Sequence, residues 1–288
     1  MDPTPLIEAA ELKRRLGAPD VIVIDCRYDL FAPAAGAAAY ADSHIPGAHY
    51  AHADHDLAGP ITATSGRHPL PAVDVFETTL RRWGVWQESQ VVVYDDANGS
   101  TAARLWWMLR WVGHPQVALL NGGWKQWLAQ GGPQSSAAPS GAAGTIRARV
   151  ERSRWVSTDE VAALVGRPAL LLTDARAPER FAGRAEPIDV VAGHVPGAIN
   201  HPLTLNLDGN GRLLPADELR ARWERTLAGR TPGELIAMCG SGVSACLNLL
   251  ALEIAGLAGA RLYPGSWSEW IRDRSRPIAT SPTPAPKS

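Results

Sequence analysis

The sequence predicts an α/β protein of two tandem domains, each a mostly parallel sheet flanked by helices. Three observations lead to this prediction: an internal repeat of motifs, short apolar runs of strand length, and helix-period segments between those runs. The 288 residues are enough for two domains of ordinary size.

The internal repeat opens with an apolar run that ends in an aspartate, followed by a His-x-Pro-Gly-Ala motif. The first copy has these features at residues 21–25 and 44–48, and the second has them at residues 170–174 and 194–198. The spacing from aspartate to histidine is nearly the same in both copies. Repetition of these landmarks in one order indicates two domains of similar fold.

Each copy continues with a second apolar run, at residues 91–95 and 235–239, and a third short run ending in a turn that contains Trp124 or Trp267. Apolar runs bounded by turn residues and separated by helical segments are typical of parallel strands with crossover helices.

Two segments carry the clearest helical patterns. Residues 101–113 place apolar side chains on one face, and residues 243–256 are apolar almost all round, as expected of a helix buried against a sheet. A stretch rich in Gly, Ser, Ala and Pro, residues 131–145, indicates a flexible linker. We therefore expect domains at 5–132 and 153–278, a linker at 133–152 and a disordered tail at 279–288.

Composition excludes several classes of function. The net charge is −1 with both signs interspersed, which argues against a nucleic-acid partner or a membrane-binding patch. The N-terminus lacks the pattern of a signal peptide, and no apolar run has membrane-spanning length. The three cysteines, Cys26, Cys239 and Cys246, are too few for a disulfide framework or a zinc site. We expect a cytoplasmic protein without a metal or cofactor.

Cys239 is the candidate nucleophile. It ends an apolar strand and begins Cys-Gly-Ser-Gly-Val-Ser-Ala, a strand–loop–helix turn with glycines at 240 and 242. Backbone N–H groups in such a loop and the helix N-terminus favour a thiolate, a persulfide or a bound anion. The alternative is a cysteine that is merely buried at a strand end. Cys26 and Cys246 have no such loop and are expected to serve packing, with a resolving or regulatory thiol as the alternative.

The loop argues against a cysteine phosphatase on the same fold. That chemistry requires an arginine six residues beyond the cysteine to bind phosphoryl oxygens, and the chain has Ala245 there. The first copy has Asp95 where the second has Cys239, so we expect only the second domain to be catalytic.

The repeated His-x-Pro-Gly-Ala motif, Leu105-Trp106-Trp107, Asn121-Gly122-Gly123-Trp124 and the Gly-Ser-Trp-Ser-Glu-Trp of residues 265–270 resemble the tandem-domain rhodanese superfamily over residues 5–278. The resemblance implies two rhodanese-like domains, an inactive first and an active second. Its mercaptopyruvate-preferring members share the Cys-Gly-Ser-Gly-Val loop, whereas thiosulfate-preferring members carry Arg and Lys after the cysteine.

The resemblance also implies site residues. Asp54, His68 and Ser241 would relay protons, and Arg180 would bind the substrate carboxylate, with Gly240 and the loop residues Gly242, Val243 and Ser244 lining the substrate. Many mercaptopyruvate enzymes carry a second arginine nine residues after the first. This chain has Asp189 there, and Arg184 is the substitute considered. The aspartates and histidines of the repeated motifs, at positions 25, 174, 44 and 194, are expected to be structural.

These features predict a sulfurtransferase. Sulfur would pass from 3-mercaptopyruvate to Cys239 as a persulfide and then to cyanide, a small thiol or a thioredoxin-like acceptor. The alternatives are a thiosulfate sulfurtransferase on the same site and, more remotely, a non-catalytic sulfur-binding module.

Overall fold

In the computed structural model, which describes residues 4–281, the chain divides into two α/β units. The first comprises residues 4–60, 70–152 and 207–216, and the second comprises residues 61–69, 153–206 and 217–281. Two short segments thus belong to a different unit from the residues on either side of them: 61–69 to the second unit and 207–216 to the first. The repeat in the sequence gives no indication of these exchanged segments. The predicted fold class is confirmed.

The first unit is a five-stranded parallel sheet in the order β1-β5-β4-β2-β3 with helices between the strands. Its strands are β1 (Leu6–Ile7), β2 (Val21–Asp25), β3 (His49–Tyr50), β4 (Gln90–Tyr94) and β5 (Val117–Leu120). Its helices are α1 (Ala9–Arg15), α2 (Ala35–Asp42), α3 (Val73–Arg82), α4 (Ser100–Trp111) and α5 (Gly123–Ala129).

The second unit repeats this order without an equivalent of β1 as a full strand. Its parallel sheet runs β7-β6-β8-β9, and a single parallel bridge from Trp155 to Leu262 lies where β1 pairs in the first unit. The strands are β6 (Leu171–Asp174), β7 (Ile199–Asn200), β8 (Leu235–Met238) and β9 (Arg261–Leu262). The helices are α6 (Thr158–Ala162), α7 (Pro178–Phe181), α8 (Ala216–Leu227), α9 (Ala245–Ile254) and α10 (Ser266–Trp270), and short 3₁₀ turns lie at Arg152–Arg154, Leu203–Asn206 and Pro232–Glu234.

Central strands and the helices that follow them form each core. β4 and β8 are buried almost throughout, and so are α4 and α9. α9 is apolar on nearly every face, as expected, whereas α4, for which the sequence indicated one apolar face, also buries Thr101 and Arg104. The indoles of Trp106, Trp127, Trp223, Trp267 and Trp270 are almost completely buried and belong to these cores.

The repeated motifs stabilise the strand ends. The Asp25 carboxylate accepts hydrogen bonds from Arg27, whose guanidinium lies 4.9 Å from the Trp124 ring. Asp174 and Arg176 do the same in the second unit, with Trp267 at 4.8 Å. His194 Nδ1 lies 2.7 Å from the Phe181 carbonyl oxygen. These motifs therefore serve structure in both units.

The expected linker lies along the first unit. Ser135 pairs with His44, and Ile146, fully buried, donates its N–H to the Val85 carbonyl at 3.1 Å. The expected tail begins at Ala279, which pairs with His194, while residues 282–288 lie outside the described residues. Within residues 4–281, no helix combines the length and apolar character that crossing a bilayer requires.

Candidate functional site

Cys239 lies one residue beyond β8, at the carboxyl edge of the second sheet. β8 pairs with β6 on one side and β9 on the other, and the chain order reverses between β6 and β8. In open parallel sheets, this reversal point is where ligands bind, because the loops on its two sides diverge. Cys239 is 2% exposed, so the residue is almost entirely withdrawn from bulk water.

The turn before α10 fixes the backbone of the Cys239 loop. The N–H of Trp267 donates to the Cys239 carbonyl at 3.0 Å, and the N–H of Ser268 donates to the Gly240 carbonyl at 2.8 Å. The N–H of Cys239 donates to the Ser266 hydroxyl at 3.1 Å. Gly242 has a φ of 76°, and a Cβ there would lie 2.4 Å from the Pro264 carbonyl oxygen, so only glycine fits.

The loop holds several unused donors. Within the described part of the chain, the backbone N–H groups of Gly240, Ser241, Val243 and Ser244 donate to no protein acceptor. Gly240 and Ser241 are buried, where N–H groups are nearly always paired. A negatively charged group beside Cys239 would supply the acceptor.

The first unit shows how this kind of loop treats a negative charge. Asp95, one residue beyond β4, accepts hydrogen bonds from the N–H groups of Ala97, Gly99, Thr101 and Ala102 at 3.0–3.2 Å. Burial raises the pKa of Asp95, and these backbone donors oppose that rise. Asp95 thus fills its loop with a fixed carboxylate, where the second unit has a cysteine.

His68 reaches the loop from the exchanged segment 61–69. Its Nδ1 lies 2.8 Å from the Ser241 hydroxyl, and both residues are buried. The segment is attached by the Gly66 N–H, which donates to Glu269 at 3.3 Å, and by the Arg67 N–H, which donates to Ser268 at 3.1 Å. The structure thus brings together two of the expected relay residues, whose role in proton transfer remains a prediction.

Asp54, the third expected relay residue, belongs to the first unit. The Tyr28 hydroxyl lies 3.0 Å from each of its carboxylate oxygens. Its N–H donates to His52 Nδ1 at 3.2 Å.

Arg180 lies beside the loop, as expected of a residue that binds substrate. A Cβ built on Gly240 would be 3.5 Å from Arg180 Nη2. The same nitrogen contacts Glu186 at 2.8 Å and Asp189 at 3.1 Å. Arg184 is elsewhere: its Nε donates to Glu179 at 2.6 Å in an exposed ion pair.

Arg67 also lies beside the loop, although the sequence did not single it out. Its Nη2 would lie 3.0 Å from a Cβ on Gly240, nearer than any atom of Arg180, and its Nη1 forms an ion pair with Asp189. One feature of the sequence pointed to such a residue. Asp189 stands where many mercaptopyruvate enzymes have a second arginine, so a second cation near the loop would come from another part of the chain.

The two acids that pair with these arginines, Glu186 and Asp189, have buried side chains, and their pKa values shift in opposite directions. Burial raises the pKa of Asp189 above its ordinary value, although the Arg67 guanidinium acts against it. Burial also acts to raise the pKa of Glu186, but hydrogen bonds from Arg180 and from the Asp189 N–H leave it below its ordinary value. Burial thus favours the protonated form of Asp189, whereas its hydrogen bonds favour the charged form of Glu186.

The other two cysteines are fully buried. Burial and the neighbouring Asp25 carboxylate raise the pKa of Cys26 well above its ordinary value, which keeps it a thiol. The Cys246 thiol donates to the Gly242 carbonyl at 3.3 Å. Both environments suit packing. No group of residues suited to hold a metal ion occurs in the part of the chain described.

Comparison with known proteins finds a family model, relatives and solved structures that match this chain. The model of the rhodanese-like domain matches residues 8–130 and 157–273. A probable 3-mercaptopyruvate sulfurtransferase of Pseudomonas aeruginosa is 46% identical over 97% of this chain and 99% of its own length. A putative thiosulfate sulfurtransferase of Mycobacterium tuberculosis is 39% identical over 95% of this chain and 96% of its own. The structure of 3-mercaptopyruvate sulfurtransferase from Leishmania major superposes with a TM-score of 0.81 at 31% identity, covering 92% of this chain and 73% of that one.

Proposed function

The chain belongs to the rhodanese-like family, and from that premise we propose that it transfers sulfane sulfur from 3-mercaptopyruvate to a thiophilic acceptor through a persulfide on Cys239. The relatives named above are sulfurtransferases, which supports the reaction class.

The observation that carries the proposal is the set of unused N–H donors around Cys239. The amides of Gly240, Ser241, Val243 and Ser244 have no acceptor among the described residues, and the matching loop of the first unit directs such amides at the Asp95 carboxylate. A thiolate or persulfide on Cys239 has the charge that those donors would stabilise, and donors fixed before reaction stabilise developing charge most effectively.

The chemistry follows from a thiolate beside a thiol-bearing keto acid. The Cys239 thiolate attacks the sulfur of 3-mercaptopyruvate, an S–S bond forms, and the S–C bond breaks. Its electron pair passes to the carbon, giving the enolate of pyruvate, which takes up one proton to become pyruvate. A thiol or cyanide then attacks the outer sulfur, taking it as a persulfide or thiocyanate and restoring the Cys239 thiolate.

Proton movements are assigned to the hydrogen-bonded pair of His68 and Ser241. Imidazole changes charge near neutral pH, which suits a group that both takes and returns a proton. The resemblance to the rhodanese superfamily assigns Asp54 to the same proton relay.

The composition of the loop favours mercaptopyruvate over thiosulfate as donor. The loop itself is neutral, and the cations beside it, Arg67 and Arg180, come from other segments. The arginine that thiosulfate enzymes carry at position 240 would start with a Cβ 3.0 Å from Arg67 Nη2, so that space is already occupied by a guanidinium. Thiosulfate transfer at the same site is the second candidate, which the Mycobacterium relative favours.

The test is steady-state kinetics with 3-mercaptopyruvate and thiosulfate side by side, using cyanide and a reduced thioredoxin as acceptors. We expect kcat/KM to be higher with 3-mercaptopyruvate and S241A to lower it. A higher value with thiosulfate would support the second candidate, and turnover with neither donor would leave only a sulfur-binding module.

A further inference from the structure

We propose that Arg67 and Arg180 form one binding site for the carboxylate of the keto-acid donor, so that Arg67 is a substrate-binding residue. This inference rests on the proposed function, because it assigns the site that orients the substrate toward Cys239. It adds a binding residue from the exchanged segment 61–69, for which the sequence offered only His68.

The first support is the position of the two guanidinium groups. Both lie over Gly240, the residue after Cys239, where a Cβ would be 3.0 Å from Arg67 Nη2 and 3.5 Å from Arg180 Nη2. Because residue 240 has no side chain, none separates these guanidinium nitrogens from the loop backbone next to Cys239. A carboxylate fits because its two oxygens accept hydrogen bonds from guanidinium nitrogens.

The second support is an unused donor on Arg67. Its backbone N–H donates to Ser268 and its Nη1 pairs with Asp189, but its Nε is buried and has no acceptor among residues 4–281. A buried donor on a charged group is costly without an acceptor, and a bound carboxylate would supply one to the Arg67 guanidinium.

The third support is the carboxylate that holds the two arginines together. Asp189, with a side chain 4% exposed, binds Arg67 through Oδ1 and Arg180 through Oδ2. Its N–H donates to Glu186 at 3.0 Å, which fixes its place. One buried acid thus sets the separation of the two cations, and its ion pairs involve neither Arg67 Nη2 nor Arg180 Nη1, which would lie 3.0 and 3.7 Å from a Cβ on Gly240.

The test compares R67M with R67K and with R184M, which removes an arginine from an exposed ion pair as a matched control. With 3-mercaptopyruvate we expect R67M to raise KM about ten- to a hundredfold with kcat changed less than about threefold. R67K should recover part of the loss, and R184M should behave as wild type. Pyruvate, which carries the carboxylate without the sulfur, should inhibit R67M correspondingly more weakly.

A second readout separates binding from damage to the loop. Enzyme already carrying the persulfide should transfer its sulfur to dithiothreitol, which has no carboxylate, at the same rate in R67M and wild type. An unchanged KM in R67M, or an equal slowing of both half-reactions, would overturn the inference. If wild type itself forms no persulfide from 3-mercaptopyruvate, the proposed function fails instead.

Discussion

Ser266 fixes the position of Cys239 through a hydrogen bond but adopts an unfavourable backbone conformation. Two different replacements of Ser266 separate the hydrogen bond from the backbone strain. Ser266 has a φ of 54°, in the left-handed region. The corresponding residue of the first unit has nearly the same φ, 56°, but is a glycine, Gly123. A non-glycine residue in this conformation costs about 1–2 kcal/mol. The Ser266 hydroxyl accepts the buried Cys239 N–H at 3.1 Å and donates to the Tyr263 carbonyl at 2.9 Å.

The magnitudes follow from these contacts. S266A keeps the unfavourable φ and leaves a buried donor without an acceptor, so the free energy of unfolding should fall by about 2 kcal/mol. S266G loses the same hydrogen bonds but relieves the backbone, so it should be more stable than S266A by about 1 kcal/mol. Both variants should lose about tenfold in kcat/KM, because Cys239 is no longer fixed.

The assay combines urea unfolding, followed by tryptophan fluorescence, with sulfur-transfer kinetics. The decisive comparison is between the two variants, whose stabilities differ while their activities agree. Wild-type activity in S266G, or equal stability of S266A and wild type, would refute the claim that this hydroxyl positions Cys239.

Two further predictions concern pH. Burial lowers the pKa of His201 from 6.5 to about 4, so between those values the unfolded chain binds a proton that the folded chain does not, and the free energy of unfolding should fall by about 2 kcal/mol from pH 7 to pH 5. H201Q should remove most of that slope in urea unfolding and H55Q, at an exposed histidine, should retain it; an unchanged slope in H201Q would contradict the assignment. Because burial raises the pKa of Asp189, acidification should neutralise this counter-ion of Arg67 and Arg180, and pyruvate should inhibit more strongly as the pH falls toward 5. In D189N the amide oxygen can still accept from Arg67 and Glu186 still pairs with Arg180, so the site should persist without the competing charge. The inhibition constant of pyruvate should then be tighter and insensitive to pH over this range, and a pH dependence like that of wild type would count against the argument.

The fold was predictable because its evidence is periodic and repeated. The order of apolar runs in the two copies gives the parallel strands, and the polar turn after residues 235–238 places Cys239 at a strand end. The helix that follows is α9, which begins at Ala245 rather than 243, a difference of the size that helix ends commonly show.

The parts of the site that escaped prediction depend on tertiary contacts, side-chain pairing and backbone conformation that the sequence pattern does not encode. Arg67 reaches Gly240 only because residues 61–69 cluster with the second unit, and no local pattern encodes such an exchange. Arg184 is close to Arg180 in sequence, yet it pairs with Glu179 at the surface. Serine rarely adopts the left-handed φ that Ser266 has, and the surrounding sequence does not indicate this conformation.

The most direct test of the account is the mass of the intact protein after reaction with 3-mercaptopyruvate in the absence of an acceptor. We predict the gain of one sulfur atom, located on the peptide that contains Cys239, removed by dithiothreitol and absent in C239S. Sulfur found on Cys26 or Cys246, or turnover retained by C239S, would contradict the claim that Cys239 carries the transferred sulfur.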